Sequence, residues 1–315
     1  MTLYGLLNEG SAALLQAGDA DGENDAKLFL FEAFHLDLVH FLMDRLRPLS
    51  EQDEQVQEQI RTYRGMIAKR ASRIPLQQIL GSQEFMGLDF FVNEHVLIPR
   101  QDTETLVELV LQEQPDPEKK LLDLCTGSGC IAISLAVKGG YESVTATDLS
   151  EEALKVAERN AKNHGFAVVS HMETRDAASQ NLEQTGHSEQ TGRPFIFRQG
   201  DLFSVLPQTE AGTFDIITSN PPYIPTAVIA TLEPEVREHE PMMALDGTED
   251  GLKFYRQIAK QAGTWLKPGG AIYLEIGYDQ GEAVSGLLRD AGFGRVRVVK
   301  DLPGKDRVVC GIWPI

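Results

Sequence analysis

Lys120-Leu121-Leu122-Asp123-Leu124-Cys125-Thr126-Gly127-Ser128-Gly129-Cys130-Ile131-Ala132-Ile133 passes from one short apolar run through a Gly-x-Gly turn into another. An apolar run that ends in glycines reads as a buried strand, and the unbroken apolar stretch after it as the start of a helix. Gly127 and Gly129 permit unusual dihedrals and a close approach of main chain to a ligand. About twenty residues on, at the spacing of a carboxylate that grips ribose hydroxyls, Val144-Thr145-Ala146-Thr147-Asp148 reads as a second strand ending in an acid. Ser150-Glu151-Glu152-Ala153 then opens another helix, its acidic first turn suited to the positive end of the helix dipole. Strand, glycine turn, helix, strand and terminal acid together predict an α/β sheet with a pocket for an adenosine-containing cofactor.

Downstream, the alternation continues. Phe195-Ile196-Phe197 is a strand, followed by Gly200-Asp201-Leu202-Phe203, and Phe214 to Ser219 is another, closed by Asn220-Pro221-Pro222-Tyr223. Residues 251–265 and 279–291 read as helices around the strand 271–276. Residues 296–299 and 308–312 read as a final antiparallel pair at one edge. Upstream the texture differs. Residues 1–73 carry leucines and phenylalanines at helical spacing and no strand pattern, which predicts a small helical domain. Residues 74–94, with Ile79-Leu80-Gly81 and 84–92, read as a β-hairpin connector turning at Gly87. Asp102 or Thr103 is placed to cap the helix that follows. Residues 95–315 form the remaining domain. The polar stretch 170–194 is long for a connection in an α/β unit and reads as an inserted, mobile surface loop.

Two features bear on the cofactor. Position 132 is Ala rather than the last Gly of a dinucleotide fingerprint, a place that tolerates Ala. Asp123, beside the loop, would repel a pyrophosphate and instead suits the amino group of a methionine moiety. Together with the Asn-Pro-Pro-Tyr strand end, this favours S-adenosylmethionine. At that end, prolines stop the strand, and the Pro221 carbonyl stands beside the Asn220 side-chain oxygen. Two acceptors side by side suit a planar –NH2 group, and Tyr223 offers a flat face; an ordinary strand-to-loop turn is the plainer reading of the same four residues. Asp201 is placed to accept from an adenine amino group, or is a solvated turn acid.

The 315 residues carry 29 Lys+Arg against 47 Asp+Glu, a formal net charge of −18. Such a balance argues against a broad grip on nucleic acid, because phosphate contacts need cations. Cys125, Cys130 and Cys310 form no CxxC pair and read as reduced core thiols, as in the cytoplasm. No signal segment, membrane span or metal-ligand spacing is evident.

Ile98-Pro99-Arg100-Gln101-Asp102-Thr103-Glu104, the 123–129 loop, Ser219-Asn220-Pro221-Pro222-Tyr223-Ile224-Pro225 and residues 301–309 together resemble the HemK/PrmC family, over essentially the whole chain. The resemblance implies a doubly wound, Rossmann-like class I methyltransferase sheet with an antiparallel edge strand. Before it would come a helical substrate-recognition domain and a β-hairpin connector. It implies methyl transfer from S-adenosylmethionine to the side-chain amide (N5) of the glutamine in the Gly-Gly-Gln motif of class I peptide-chain release factors, in the cytoplasm, without membrane or extended nucleic-acid contacts. Cofactor binding would fall to Asp123, Cys125, Thr126, Gly127, Ser128, Gly129, Asp148, Asp201, Leu202 and Asn220. Asn220, Pro221 and Tyr223 would be catalytic, and Asn220, Pro221, Pro222, Tyr223 and Arg100 would meet the substrate. Asn-Pro-Pro-Tyr alone is shared with methyltransferases of DNA adenine and ribosomal RNA guanine amino groups. That alternative predicts a basic face, which the charge does not favour. A non-catalytic adenosine-binding module would not need Asn220. Two departures stand out: Cys125, where many relatives have Gly, and the long 170–194 insertion.

Overall fold

The computed structural model describes residues 1–50, 52–171 and 195–315. The expected insertion therefore lies, apart from residues 170 and 171, outside the described residues. Two compact units form: residues 1–82 with 233–239, and residues 83–232 with 240–315.

In the first unit, α1 (Leu3–Gln16), α2 (Gly22–Phe34), α3 (Leu38–Asp44) and α4 (Glu54–Ala71) bury Leu6, Leu14, Phe29, Leu30 and Tyr63 in one core. Side-chain oxygens of Thr2, Asp37 and Asp53 cap α1, α3 and α4, satisfying main-chain donors that a helix leaves open. Short helix 234–239 belongs to this unit. There buried Arg70 pairs with Asp19 at 2.9 Å, Asp25 at 2.7 Å and Glu235 at 2.7 Å. Where the sequence suggested the first arm of the hairpin, the chain forms α5 (Leu76–Leu80) instead. The Pro75 carbonyl accepts from the N–H groups of Gln78 and Ile79, which starts the helix, and Gly81 at φ 75° ends it.

The hairpin is β1 (Ser82–Phe85) and β2 (Leu88–Phe91), turning through Met86 and Gly87 at φ 54° and 68°. Two successive positive φ angles match the twist of a two-residue hairpin.

Eight strands make the main sheet: β3 (Lys120–Leu124), β4 (Ser143–Asp148), β5 (Val168–His171), β6 (Phe195–Gln199), β7 (Phe214–Ser219), β8 (Leu266–Glu275), β9 (Gly294–Lys300) and β10 (Asp306–Ile312), in the order β5-β6-β4-β3-β7-β8-β10-β9. All neighbours from β5 to β8 are parallel; β10 runs antiparallel to β8 and β9, so the closing pair forms the antiparallel edge. Edge strand β5 went unread in the sequence, because Val168 and Val169 adjoin the polar stretch. Helices α6 (Gln101–Glu113), α7 (Cys130–Gly139) and α8 (Glu151–Asn163) cover one face through Leu106, Ile131 and Leu154. Helices α9 (Lys253–Trp265) and α10 (Gly281–Asp290) cover the other through Tyr255, Ile258 and Leu288. Covered on both faces, β3 and β7 are almost continuously buried.

Strand order reverses between β3 and β7, with β4 on one side and β8 on the other. In an open α/β sheet, ligands bind at the carboxyl ends of the strands beside such a reversal.

Candidate active site

At the end of β3, Asp123 is fully buried beneath the glycine loop. Its Oδ2 accepts from Thr126 Oγ1 and its Oδ1 from Thr218 Oγ1, both at 2.7 Å. Burial pushes its carboxyl up to about 7, opposed by the two hydroxyl donors and aided by nearby Asp148. The loop itself is held by main-chain donors. Thr126 N–H reaches the Thr147 carbonyl at 3.0 Å, and Gly127 N–H reaches Asp148 Oδ2 at 2.9 Å. Ser150 N–H donates to Asp148 Oδ1 at 2.9 Å, and the Ser150 hydroxyl caps α8 through Ala153 N–H. Burial raises the Asp148 carboxyl, and the donors from Ser150 and Gly127 offset part of the rise. Gly129 sits at φ 81°, a left-handed backbone that glycine adopts without strain, and a Cβ there would come within 2.8 Å of Ile133 Cδ1 on α7 and 3.3 Å of Ala157 Cβ on α8. A Cβ on Gly127, at φ 55°, would meet nothing within 4 Å.

A cavity of about 240 Å³ opens at these strand ends. Of the residues expected from the sequence, Arg100, Cys125, Thr126, Gly127, Ser128, Asp148, Asp201, Leu202, Asn220 and Pro222 stand on its wall. Asp123, Gly129, Pro221 and Tyr223 do not. The expected direct contact of Asp123 with a ligand gives way to a brace: the carboxylate ties the loop to β7 from below. Gly129 serves packing. Tyr223 is half-buried, and its carbonyl accepts from Gln280 Nε2 at 3.0 Å. A Cβ on Gly251 would come within 2.2 Å of that same carbonyl, and one on Gly247 within 2.8 Å of Tyr223 Cα, so the main chain here is closely packed. The ring packs partly against the core, and its phenol lies near Glu275, Arg307, Arg100 and Asp102, beside the polar group around Asn220.

A second group of polar side chains surrounds Asn220. The expected cap role of Asp102 and Thr103 does not hold: Arg100 is the N-cap of α6, and both residues lie in its first turn. Thr103 is buried, while Asp102 is half exposed at the edge of the group. Asn220 Nδ2 lies 3.4 Å from Thr103 Oγ1, and Arg307 Nη2 lies 2.9 Å from Asp102 Oδ2 and 3.0 Å from Asp301 Oδ2. At the end of β8, Glu275 is 1% exposed, and its Oε2 finds no hydrogen-bond partner among the described residues. Burial pushes its carboxyl up to about 7; hydrogen bonds from Thr103 and Asn220 and the charge of Arg307 pull it down, and Asp102 pushes it up. Nearer the mouth, Arg100 Nη2 contacts Glu240 Oε2 at 2.6 Å; burial of that carboxylate raises it and Arg100 lowers it.

Sequence reasoning missed Glu275, a single acid in an apolar strand, and Arg307 and Glu240, each one charge among several in a stretch that reads as a loop. It also missed Asn160, wholly buried on α8. Asn160 Nδ2 donates to Ser128 O at 2.9 Å and Phe91 O at 3.0 Å, and its Oδ1 accepts from Phe91 N–H at 2.8 Å. The one available signal was a polar residue among the alanines of that helix face.

The donor set fits an adenosine-bearing sulfonium. Asp148 and Asp201 put carboxylates on the wall, Gly127 leaves room for close approach, and Arg100 is already paired. A pyrophosphate would meet these acids unfavourably. Among the described residues no His, Cys, Asp and Glu group is arranged to hold a metal ion, and no helix is long and apolar enough to cross a membrane.

Comparison with known proteins gives consistent findings. The PrmC N-terminal domain family matches residues 5–81, and the methyltransferase small domain family matches residues 100–186. A "Release factor glutamine methyltransferase" of Geobacter sulfurreducens is 39% identical, over 98% of this chain and 96% of its own. One of Caulobacter vibrioides is 38% identical, over 99% and 96%. The crystal structure of a methyltransferase from Pyrococcus furiosus aligns with a TM-score of 0.50 at 18% identity, covering 79% of this chain and 100% of that one, a likeness of fold.

Proposed function

This chain belongs to the release factor glutamine methyltransferase family, and we propose that its cavity holds S-adenosylmethionine against the glutamine side chain of a peptide-chain release factor, whose N5 it methylates. The Gly-Gly-Gln motif of class I factors is the substrate segment, and a release factor substrate places the work in the cytoplasm. The observation that carries this reading is that Asn220 and Asp148 share one cavity wall at the reversal of strand order.

Each role follows from position. Asp148 takes the ribose hydroxyls while its own oxygens remain anchored by Gly127 and Ser150. Asp201 and Leu202 border the adenine, and the main chain around Gly127 borders the amino-acid end. When bound, S-adenosylmethionine supplies an activated methyl group on a sulfonium. An amide nitrogen is a poor nucleophile, because its lone pair is delocalised into the carbonyl. Asn220, on the cavity wall, accepts one of its hydrogens at Oδ1. The carbonyl of Pro221, the next residue although off that wall, is the second acceptor. Together they fix its plane and raise its electron density, and the nitrogen releases one proton to water as it takes the methyl. Alignment for in-line attack can be worth about 7–11 kcal/mol. The half-buried Tyr223 flanks this strand end, its phenol near Glu275 and Arg307.

Asn220→Ala should lower kcat for release factor methylation by roughly 100-fold or more, with KM for the factor and cofactor affinity changed only a few-fold, as for an interaction that strengthens toward the transition state. Labelled cofactor should mark the intact factor, and neither a Gln→Ala factor, duplex DNA nor ribosomal RNA. Full turnover by Asn220→Ala would sink the two-acceptor mechanism; labelling of the glutamine-less factor or of nucleic acid would sink the substrate assignment.

A further inference from the structure

We propose that Glu275, directly and with the help of the Thr103 hydroxyl, sets which end of the Asn220 amide faces the cavity, and so acts as a positioning residue for methyl transfer; this rests on the role given to Asn220 above. An amide side chain has a donor end and an acceptor end of nearly identical shape, and packing alone does not distinguish them. The reaction needs Oδ1 toward the glutamine –NH2. With Nδ2 in that place, two –NH2 groups would confront each other.

The geometry supplies a polarity. Glu275 stands at the end of β8, 1% exposed, and both Thr103, in the first turn of α6, and Asn220 direct hydrogen bonds to its carboxyl. An ionised carboxylate only accepts hydrogen bonds. Thr103 therefore spends its single hydroxyl hydrogen on Glu275 and keeps only lone pairs for Asn220. Asn220 Nδ2, 3.4 Å from Thr103 Oγ1, is the end that answers them. Oδ1 is left turned to the cavity. The carboxylate and the Thr103 lone pairs both call for the donor end of the amide, so one buried charge fixes its orientation. A protonated Glu275 has a hydrogen of its own to donate, Thr103 can turn its hydrogen toward Asn220, and both amide orientations become available.

This predicts an acid limb in kcat. Burial holds the Glu275 carboxyl up to about 7, so the ordered state fills as pH rises through neutrality and empties below it. The charged and titratable groups facing Glu275 are Arg307, Asp102, Tyr223, Tyr255 and Cys130. Of these, Tyr223 and Tyr255 have phenols raised by burial above their ordinary value near 10, and the Cys130 thiol is likewise pushed up, to about 12. None of these three changes charge across the neutral range.

The test is the pH profile of kcat for release factor methylation by full-length wild type, Glu275→Gln, Thr103→Val and Thr103→Ser, with cofactor titration of each. Glu275→Gln keeps shape but restores a donor, so kcat should fall tenfold or more and lose its acid limb, while cofactor affinity and KM for the factor stay within about twofold. Thr103→Val leaves the direct hydrogen bond from Asn220 to Glu275, so it should lose less, about threefold, and keep the acid limb. Thr103→Ser, which keeps the hydroxyl, should recover most of the activity. Wild-type turnover or an unchanged acid limb in Glu275→Gln overturns the proposal, as does equal activity of the Val and Ser variants. Asn220→Ala runs alongside. If that variant keeps full turnover, the two-acceptor reading fails first, and the failure is distinguishable from one confined to Glu275.

Discussion

The two corners of the cavity are built on different principles. At the ends of β3 and β4, the ligand-facing surface is mostly main chain: a glycine loop whose N–H groups are held by the Thr147 carbonyl and the Asp148 carboxylate. At the ends of β7 and β8 it is side chain: Asn220 and Thr103 on the wall, backed by Glu275, Asp102, Asp301 and Arg307, contributed by α6, two strand ends and the edge pair. The first corner tolerates substitution wherever the backbone path survives. The second depends on the identity and protonation of each group, since buried polar networks are costly when partly satisfied.

The most severe way to break that contrast is to remove the cation of the second corner. Arg307→Met would leave Asp301 and Asp102 without their shared partner and take positive charge away from Glu275. Breaking a buried ion pair by deleting one member costs about 3–5 kcal/mol. Denaturant unfolding should show a loss in that range, with the remaining folded protein still able to bind cofactor. A loss below about 1 kcal/mol would mean that packing, not charge, holds this corner together.

A smaller change separates the corners by function. Asp148→Ala removes the carboxylate that anchors Gly127 and Ser150 and that faces the ribose. With charge-assisted hydrogen bonds worth about 1.5–3 kcal/mol each, calorimetric affinity for S-adenosylmethionine should fall tenfold or more. At saturating cofactor, kcat should stay near wild type, the inverse of the pattern expected for Asn220→Ala. Unchanged affinity would reject the ribose role; an equal fall in kcat at saturation would mean the two corners are not separable.

The same contrast explains what the sequence reveals. The first corner is contiguous: strand, glycine turn and terminal acid follow one another within 120–148, so their order alone announces the cofactor site. Asn220 is visible because two prolines mark it. Glu275 and Arg307 are not, since one is a lone acid in an apolar strand and the other the last of three successive charges beside a turn, and only the pairing of β8 with β10 brings them together. Asp123 misleads for a related reason. An acid beside a ligand loop looks like a contact, yet the hydroxyls of Thr126 and Thr218, the latter 95 residues away, engage it as a brace. The start of the hairpin was misplaced because Leu76–Leu80 is too short for helical periodicity to register, and its signals are Pro75 before and Gly81 after.

The mildest test concerns Cys125. It sits at φ 56°, in the left-handed region, on the wall of the cavity. A left-handed conformation costs an L-residue roughly 1–2 kcal/mol, and glycine would lift that strain. Glycine in turn brings about 0.5–1 kcal/mol of extra chain entropy to lose on folding. It also removes a side chain that packs partly against the core under β3 and β7. These opposing effects nearly cancel, so Cys125→Gly should stabilise the protein by less than about 1 kcal/mol and leave cofactor affinity within about threefold. Because this corner works through its backbone path, losing the thiol should matter little there. A destabilisation beyond about 1 kcal/mol, or a larger fall in affinity, would show that the Cys125 side chain has become part of the binding surface, and the main-chain description of the first corner would then be wrong for this chain.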